Sequence, residues 1–241
     1  MGIHAVESAL SKAPGQLTQI CVARESQNPR VRKLVELAAR SGIRVSTESR
    51  ALLDSRSGGE RHQDIIADFQ AVNTLGEKDL EGVLDSIDGH PLVLVLDGVQ
   101  DPHNLGACLR TAEAAGVDLV VLPKDRSAGL TPVARRAASG AAEVLPLVFV
   151  TNLARVLRQL KDRGVWLLGT SDQASQNLYE ADLSGPMALV MGSEGKGMRR
   201  LTAELCDFLV HIPMHGSVSS LNVSVATGVC LFEMARQRGG Q

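Results

Sequence analysis

Pro91-Leu-Val-Leu-Val-Leu-Asp-Gly98 decides the fold class of this chain. A continuous apolar run closed by Asp-Gly shows no polar alternation, so it reads as a strand buried on both faces. Such strands belong to parallel sheets covered by helices on both sides. The segments that follow agree. A helix is expected over 105–115, closed by Gly116, then a strand over 117–122 and a helix over 153–163. Strands are expected over 165–169 and 187–191, and a last helix within 221–236. Alternation of this kind predicts an α/β fold whose ligands gather in the loops at the carboxyl ends of the strands.

Upstream, residues 17–69 read as a shorter alternation of their own. A strand is expected at 17–23, and a helix opened by Asn28-Pro29 runs through Arg40, with Gly42 just past its end. A strand at 43–46, a short helix at 48–54 and a strand at 64–69 complete it. Residues 71–78 (AVNTLGEK) have no apolar period and contain Gly76, so they are expected to be a linker. The expected organisation is a small domain over 1–70, a linker over 71–78 and a larger domain over 79–241.

Composition narrows the function classes. With 44% hydrophobic and 22% charged residues in 241, the chain is globular rather than disordered. Its longest apolar run, 144–150, is interrupted by Pro146 and falls far short of the roughly 18 residues a membrane span needs. The polar start has no hydrophobic signal core, so no export and a cytoplasmic location are expected. Cys21, Cys108, Cys206 and Cys230 are scattered without a CxxC pair, which suits reduced thiols rather than a disulfide framework or a zinc site. His211 and His215 are four apart, but Pro213 between them prevents a shared helical face, and no metal is expected. One Trp and one Tyr leave no stacking platform for single-stranded nucleic acid. The net charge of −2 hides a division. Residues 20–62 hold nine Lys/Arg against five Asp/Glu, whereas residues 71–241 hold fifteen against nineteen. A basic N-terminal segment suits phosphate contact, although a solvated surface has the same composition.

Three loops carry the chemistry. In the first, from Asp97 to Arg110, Asp101-Pro102 makes a turn and Asn104 stands about where a helix cap would. Arg110, six residues on, need not share its face. The second, Leu189-Val-Met-Gly-Ser-Glu-Gly-Lys-Gly-Met198, runs an apolar strand into three glycines within six residues, which lets backbone N–H groups approach a ligand. It is neither a Walker loop nor a GxGxxG fingerprint. In the third, residues 212–226, Ser219, Ser220 and Asn222 crowd the entrance of the last helix. Capping needs only one of them.

Together these loops resemble, in order, the three motifs of the SpoU (TrmH) class of RNA ribose 2′-O-methyltransferases. The motifs stand here as Asn104-Leu-Gly-Ala-Cys-Leu-Arg110, Val190-Met-Gly-Ser-Glu-Gly-Lys-Gly197, and Ile212-Pro-Met-His-Gly216 through Ser220-Leu-Asn-Val-Ser224. The resemblance covers nearly the whole chain. Gly2-Ile-His-Ala-Val6, Leu96-Asp-Gly-Val-Gln-Asp-Pro-His103, Pro123-Lys-Asp-Arg-Ser127 and Ala138-Ser-Gly-Ala-Ala-Glu143 are similar to stretches of the members that act on guanosine in 23S ribosomal RNA. Members usually carry a few residues ahead of Gly-Ile-His-Ala, so a first strand cut short is expected here.

The resemblance implies an L30e-like RNA-binding domain followed by a SPOUT domain with a parallel sheet and a C-terminal trefoil knot. Chain topology alone would argue against the knot. It also implies a homodimer and a reaction: methyl transfer from S-adenosylmethionine to the ribose 2′-oxygen of a guanosine in 23S rRNA, free or in a large-subunit assembly intermediate, with no membrane or metal involved. Gly192, Ile212 and Leu221 would hold the cofactor through backbone groups, with Met191, Met214 and Val190 beside it. Arg110 would act at the reacting oxygen, as general base or as electrostatic clamp. Asn104 and Glu194 would orient Arg110 or the ribose, and Ser220 and Asn222 would hold loop and substrate. Arg24, Arg30, Arg32, Lys33, Arg56 and Arg61 would contact RNA phosphates. The alternatives are a tRNA ribose methyltransferase of the same class and a catalytically silent L30e-like RNA-binding protein. A dehydrogenase or NTPase would need a phosphate-binding fingerprint where DGVQDPHNLGA stands.

Overall fold

In a computed structural model that describes residues 2–12, 14, 17–59, 61–69 and 75–239, the chain divides into two units, 1–73 and 74–241. The first contains α1 (Ile3–Lys12), β1 (Leu17–Ala23), α2 (Pro29–Arg40), β2 (Arg44–Glu48), α3 (Arg50–Arg56) and β3 (Ile65–Phe69). β1 is central, parallel to β2 and antiparallel to β3. α2 begins as its sequence dictates: Asn28 accepts a hydrogen bond from the Arg30 N–H and Pro29 opens the helix. α1 is the element the sequence reading missed. Ile3, Val6 and Leu10 lie on one side of it, buried against Ile20, Leu34 and Ile65. No strand precedes it among the described residues.

The second unit contains β4 (Leu75–Gly76), α4 (Leu80–Asp85), β5 (Leu92–Asp97), α5 (Pro102–Ala114), β6 (Leu119–Pro123), α6 (Pro132–Ala138), α7 (Ala141–Val144) and β7 (Leu147–Val150). It continues with α8 (Leu153–Asp162), β8 (Trp166–Thr170), β9 (Gln176–Asn177), β10 (Met187–Gly192), α9 (Arg200–Leu205), β11 (Phe208–His211) and α10 (Val223–Arg238). The eight strands form one sheet in the order β4-β7-β6-β5-β10-β8-β11-β9, and every pairing is parallel. Every residue of β5 is buried, as its unbroken apolar run requires. Leu92, Leu94 and Leu96 face a core shared with α5, α6 and α10, while Val93 and Val95 face a second core shared with α4 and α8.

Of the expected linker, residues 71–74 lie outside the described residues. Residues 75–79 belong to the sheet unit: Leu75–Gly76 pairs with β7, and a 3-10 turn follows over Glu77–Asp79. The Glu77 carboxylate then accepts from the Thr151 and Asn152 N–H groups at 2.6 and 3.0 Å. A two-residue edge strand is too short to show a period. β7 and β11 were likewise not anticipated; each is only four residues long.

Two close contacts set the helix layer over the first core. Gly106 of α5 lies against α6, where a Cβ would come within 2.4 Å of the Ala134 carbonyl oxygen. α10 is tied down at its far end by Gln237, which accepts from the Leu183 N–H at 2.8 Å and donates through Nε2 to the Ala181 carbonyl at 3.1 Å. Gln237 Nε2 also donates to Glu233 at 2.8 Å; Glu233 accepts from Arg236 Nε and Nη2 at 2.8 and 2.7 Å within the same helix.

The Arg236 and Gln237 hydrogen bonds hold the Glu233 carboxyl down at about 2. The folded value lies below an unfolded value of about 4.3, so the stabilisation is fully present above that pH and is lost as pH falls toward the folded value. The difference in melting temperature between wild type and Glu233→Gln is therefore expected to shrink between about pH 5 and about pH 2.5. A difference that stays constant over that window would show that the carboxylate does not stabilise this helix end.

Candidate active site

β5 and β10 end side by side, with Gly192 in register with Asp97, so the first two motif loops leave the sheet together. α5 starts earlier than its sequence suggested. Asp101 is the cap, accepting from the His103 N–H at 2.8 Å, with Pro102 in the first turn. Proline's fixed φ suits the first helical position. Asn104 is therefore inside the helix, and its side-chain amide is free for other work. Asn104, Cys108 and Thr111 follow one another at i, i+4 and i+7 along the side of α5 that meets α10. Cys108 Sγ lies 3.6 Å from Thr227 Oγ1, and a Cβ on Gly228 would sit 3.5 Å from Thr111 Cγ2. Burial pushes the Cys108 thiol up to about 11, so it is a packing group.

After β10 the chain doubles back. Ser193 and Gly197 exchange backbone hydrogen bonds at 3.0 and 2.9 Å, and Gly195 and Gly197 take positive φ. A Cβ on Gly192 would lie 2.1 Å from both Gly197 C and Met198 N, so only glycine fits. Asp97 secures the return. Fully buried at its side chain, it accepts from the Arg199 N–H at 2.9 Å and lies 3.3 Å from Arg199 Nε. The sequence reading did not single out Asp97; the Asp-Gly that ends the apolar run was the available signal.

This turn presents Glu194. Its Oε1 accepts from Asn104 Nδ2 at 2.8 Å and from Asn222 Nδ2 at 2.6 Å, and Asn222 Nδ2 also reaches Asn104 Oδ1 at 3.1 Å. Asn222 caps α10, its Oδ1 accepting from the Ser224 N–H and Oγ at 2.9 and 2.6 Å. One side chain from each motif loop thus meets in a triangle at the surface. Glu194 Oε2 is left without a bond to any described residue.

Residues 212–221 connect β11 to α10 without regular structure, and none of their N–H groups donates to a described backbone carbonyl. Ile212, Met214 and Leu221 are half-buried. Met191 is buried on the same side of the sheet as Ile212, and its Sδ accepts from Thr170 Oγ1 at 3.6 Å. Val190 faces the opposite core.

Two expected site residues stay apart from the triangle. Arg110 is exposed on α5 and bonds to no described residue. Its six-residue offset from Asn104 turns it by roughly 120° around the helix. Glu194 is bonded to the two asparagines rather than to Arg110. Ser220 is exposed, also without a side-chain bond to a described residue. In the N-terminal unit Arg24, Arg30, Arg32, Lys33 and Arg61 are exposed. Arg56 is committed to the fold: Nη2 donates to both Asp68 oxygens at 2.7 Å and Nη1 to Cys21 Sγ at 2.9 Å. Among the described residues no group of three His, Cys, Asp or Glu side chains is placed to hold a metal.

Comparison with known proteins follows the same division. Residues 91–232 match the model of the SpoU rRNA Methylase family, and residues 1–75 match a model described as RNA 2′-O ribose methyltransferase substrate binding. The chain is 56% identical over 237 residues to the 23S rRNA (guanosine-2′-O-)-methyltransferase RlmB of Pseudomonas aeruginosa, covering 98% of this chain and 95% of that one. It is 54% identical to the protein of that name from Haemophilus influenzae, over 99% of this chain and 97% of the relative. An AdoMet-bound rRNA methyltransferase from Sinorhizobium meliloti is similar in structure, with a TM-score of 0.76 at 25% identity over 96% of this chain and 84% of that one.

The crowding at Gly192 makes a direct test. Gly192→Ala must displace the 193–198 return, and a destabilisation of about 1–3 kcal/mol is expected, the usual cost of overpacking. Urea unfolding of the two proteins measures it, and an unchanged midpoint would contradict the close approach.

Proposed function

The chain belongs to the SpoU rRNA methylase family, and on that premise we propose that it methylates the ribose 2′-oxygen of a guanosine in 23S ribosomal RNA, using S-adenosylmethionine. The observation that carries the reading is the Asn104–Glu194–Asn222 triangle, which joins all three motif loops at the carboxyl ends of the strands. A silent RNA-binding scaffold has no use for such a junction.

When bound, S-adenosylmethionine supplies an electrophilic methyl group. The site suits it: residues 212–221 keep their backbone N–H groups free of described backbone partners, and Ile212, Met214 and Leu221 give a half-buried apolar lining. Gly192, Ile212 and Leu221 hold the cofactor through backbone groups, and Met191 and Met214 pack beside it. Glu194, fixed through Oε1, keeps Oε2 to accept a ribose hydroxyl. Asn104 and Asn222 hold that carboxylate in place, and Ser220 contributes to the substrate side of the loop.

Arg110 is assigned the role of an electrostatic clamp. A guanidinium is a permanent cation with a planar fork of N–H donors. Its fork is free to take an RNA phosphate and to stabilise negative charge that develops on the 2′-oxygen. In the N-terminal unit Arg24, Arg30, Arg32, Lys33 and Arg61 supply phosphate contacts, while Arg56 serves the fold.

The SPOUT trefoil knot and the homodimer belong to the same reading. Val225 and Phe232, seven residues apart on α10, are 52% and 54% exposed, an apolar face suited to a second copy. No described helix is long and apolar enough to cross a membrane, and we place the enzyme in the cytoplasm with its RNA. Sedimentation of wild type as a dimer and of Phe232→Asp as a monomer is the expected outcome; a monomeric wild type would remove the dimer.

Arg110 gives the test of mechanism. With a 23S rRNA transcript and S-adenosylmethionine, Arg110→Ala is expected to lose methyl transfer while cofactor affinity, read by calorimetry, is unchanged. Arg110→Lys keeps a charge but loses the planar fork, so a clamp predicts rates nearly as poor as Ala at every pH. Activity of the Lys variant that rises steeply between about pH 7 and about pH 10 would identify a general base instead, because a lysine gives up its proton more easily. Methylation of tRNA but not of the 23S transcript by wild type would replace the substrate.

A further inference from the structure

β6 lies beside β5 in the parallel sheet, so the loop over residues 124–131, which joins β6 to α6, opens at the carboxyl edge where the Asn104–Glu194–Asn222 triangle stands. Gly98 marks how close the two come. A Cβ there would lie 3.6 Å from the Arg126 carbonyl oxygen, 3.8 Å from Arg199 Nη2 and 3.9 Å from Ser193 Cβ. Ser193 precedes Glu194, so the Arg126 peptide borders the turn that presents the substrate-facing carboxylate.

Arg126 stands in left-handed backbone, with φ of 57°. That region is strained for a long side chain, and residues held in it cluster at functional sites. The chain on both sides enforces it. The Lys124 N–H donates to the Val150 carbonyl at 2.8 Å, while Ser127 Oγ and the Ala128 N–H both donate to the Val99 carbonyl, at 3.2 and 2.7 Å. Ala128 is buried in the core that α5 covers. None of these bonds uses the Arg126 side chain, which is exposed and bonded to no described residue. Glycine takes this backbone without strain, so the fold alone does not call for arginine here. Arg199 is different: its N–H and Nε are held by the buried Asp97 carboxylate.

The neighbours of Arg126 narrow what its guanidinium can take. Lys124 and Arg126 flank Asp125, whose exposed carboxylate bonds to no described residue, and the free Glu194 Oε2 belongs to the adjoining turn. Charges of both signs match a phosphate poorly and a neutral group with acceptors and donors side by side well. Guanine is such a group. It offers O6 and N7 on one edge, where an arginine fork bonds bidentately, and N–H donors on the next. Adenine places an amino donor where guanine has O6, and the fork rejects it. The ribose and phosphate contacts assigned to Glu194 and Arg110 are common to all four nucleotides, so the choice of base falls to another residue.

We propose that Arg126 selects guanosine, its guanidinium bonding O6 and N7 of the target base while the ribose lies at Glu194. The assignment rests on the proposed ribose methylation of a guanosine and names what recognises the base.

The test compares wild type, Arg126→Gly and, as a charge control, Lys124→Gln on 23S rRNA transcripts made with guanosine or with 7-deazaguanosine, which lacks only the N7 acceptor. For each, kcat/KM, RNA affinity against salt and melting temperature are measured. Wild type is expected to lose about tenfold in kcat/KM on the 7-deaza transcript, as for one base contact. Arg126→Gly is expected to lose about tenfold or more on the guanosine transcript, to be indifferent to the 7-deaza change, and to keep the wild-type melting temperature and cofactor affinity. Lys124→Gln should match wild type on both transcripts. Wild-type rates in Arg126→Gly, or a 7-deaza loss as large there as in wild type, would overturn the assignment. That second outcome with a salt slope lowered by about one would make Arg126 a phosphate contact instead. If wild type binds both transcripts and methylates neither, the proposed function fails, while the 7-deaza effect on affinity in wild type and Arg126→Gly still decides the base contact.

Discussion

The second unit depends on β10 lying inside its sheet. All six residues of β10 are buried, paired with β5 along their full length and with β8 along four of them. Met187, Leu189 and Met191 pack into the core under α5 and α10, while Ala188 and Val190 enter the core under α8. At about 1.5–3 kcal/mol for each large side chain buried, this strand is fixed by solvation before any polar contact is counted. Its end is then fixed too. Gly192 stands opposite Asp97, and the chain must turn back at once because the Gly197-Met198 backbone occupies the space where a side chain would be.

The Asn104–Glu194–Asn222 triangle is a consequence of that placement rather than its cause. Its bonds lie at the surface, where each contributes on the order of 1 kcal/mol. The buried Asp97 carboxylate, by contrast, depends on the Arg199 main chain and guanidinium, because a buried charge left unpaired is strongly destabilising. Packing and one ion pair with a buried carboxylate hold the loops; the triangle orients what they carry. Three polar side chains drawn from positions as far apart as 104 and 222 would not be fixed in one constellation by solvent-exposed bonds alone.

What was legible in the sequence follows the same hierarchy. β1, β5 and β10 are long and apolar, and α2 carries its own cap and proline, so these elements stand within a residue or two of expectation. The elements that escaped are those whose pattern is short or local. β4, β7, β9 and β11 have two to four residues each, α4, α6, α7 and α9 have four to seven, and α1 hides its apolar stripe in a start that reads as polar. The α5 cap was misplaced because Asn104 and Asp101 are both good capping residues, and the proline after Asp101 decided between them. Resemblance named Asn104, Glu194 and Asn222 individually. Their hydrogen bonds to one another depend on where the sheet ends, which no local pattern records. Arg110 shows the converse: it shares a motif with Asn104 but not a helix face.

The chemistry of the site is constrained by what it contains. The two asparagine amides exchange no protons at neutral pH, and a guanidinium holds its own too tightly to serve readily as a base. The thiols in the core beneath α5 and α10 offer no nucleophile, since burial pushes Cys108 up to about 11 and Cys230 up to about 12. A site of this kind cannot easily build a covalent intermediate, but it can hold two partners in line and leave the bond change to them. For a transfer between a reactive methyl donor and a hydroxyl, alignment is the larger requirement, since effective molarities for well-oriented groups reach about 10⁵ M or more. A rigid strand end, a glycine that admits no side chain and a carboxylate fixed through one oxygen with the other left free meet that requirement without a strongly basic side chain.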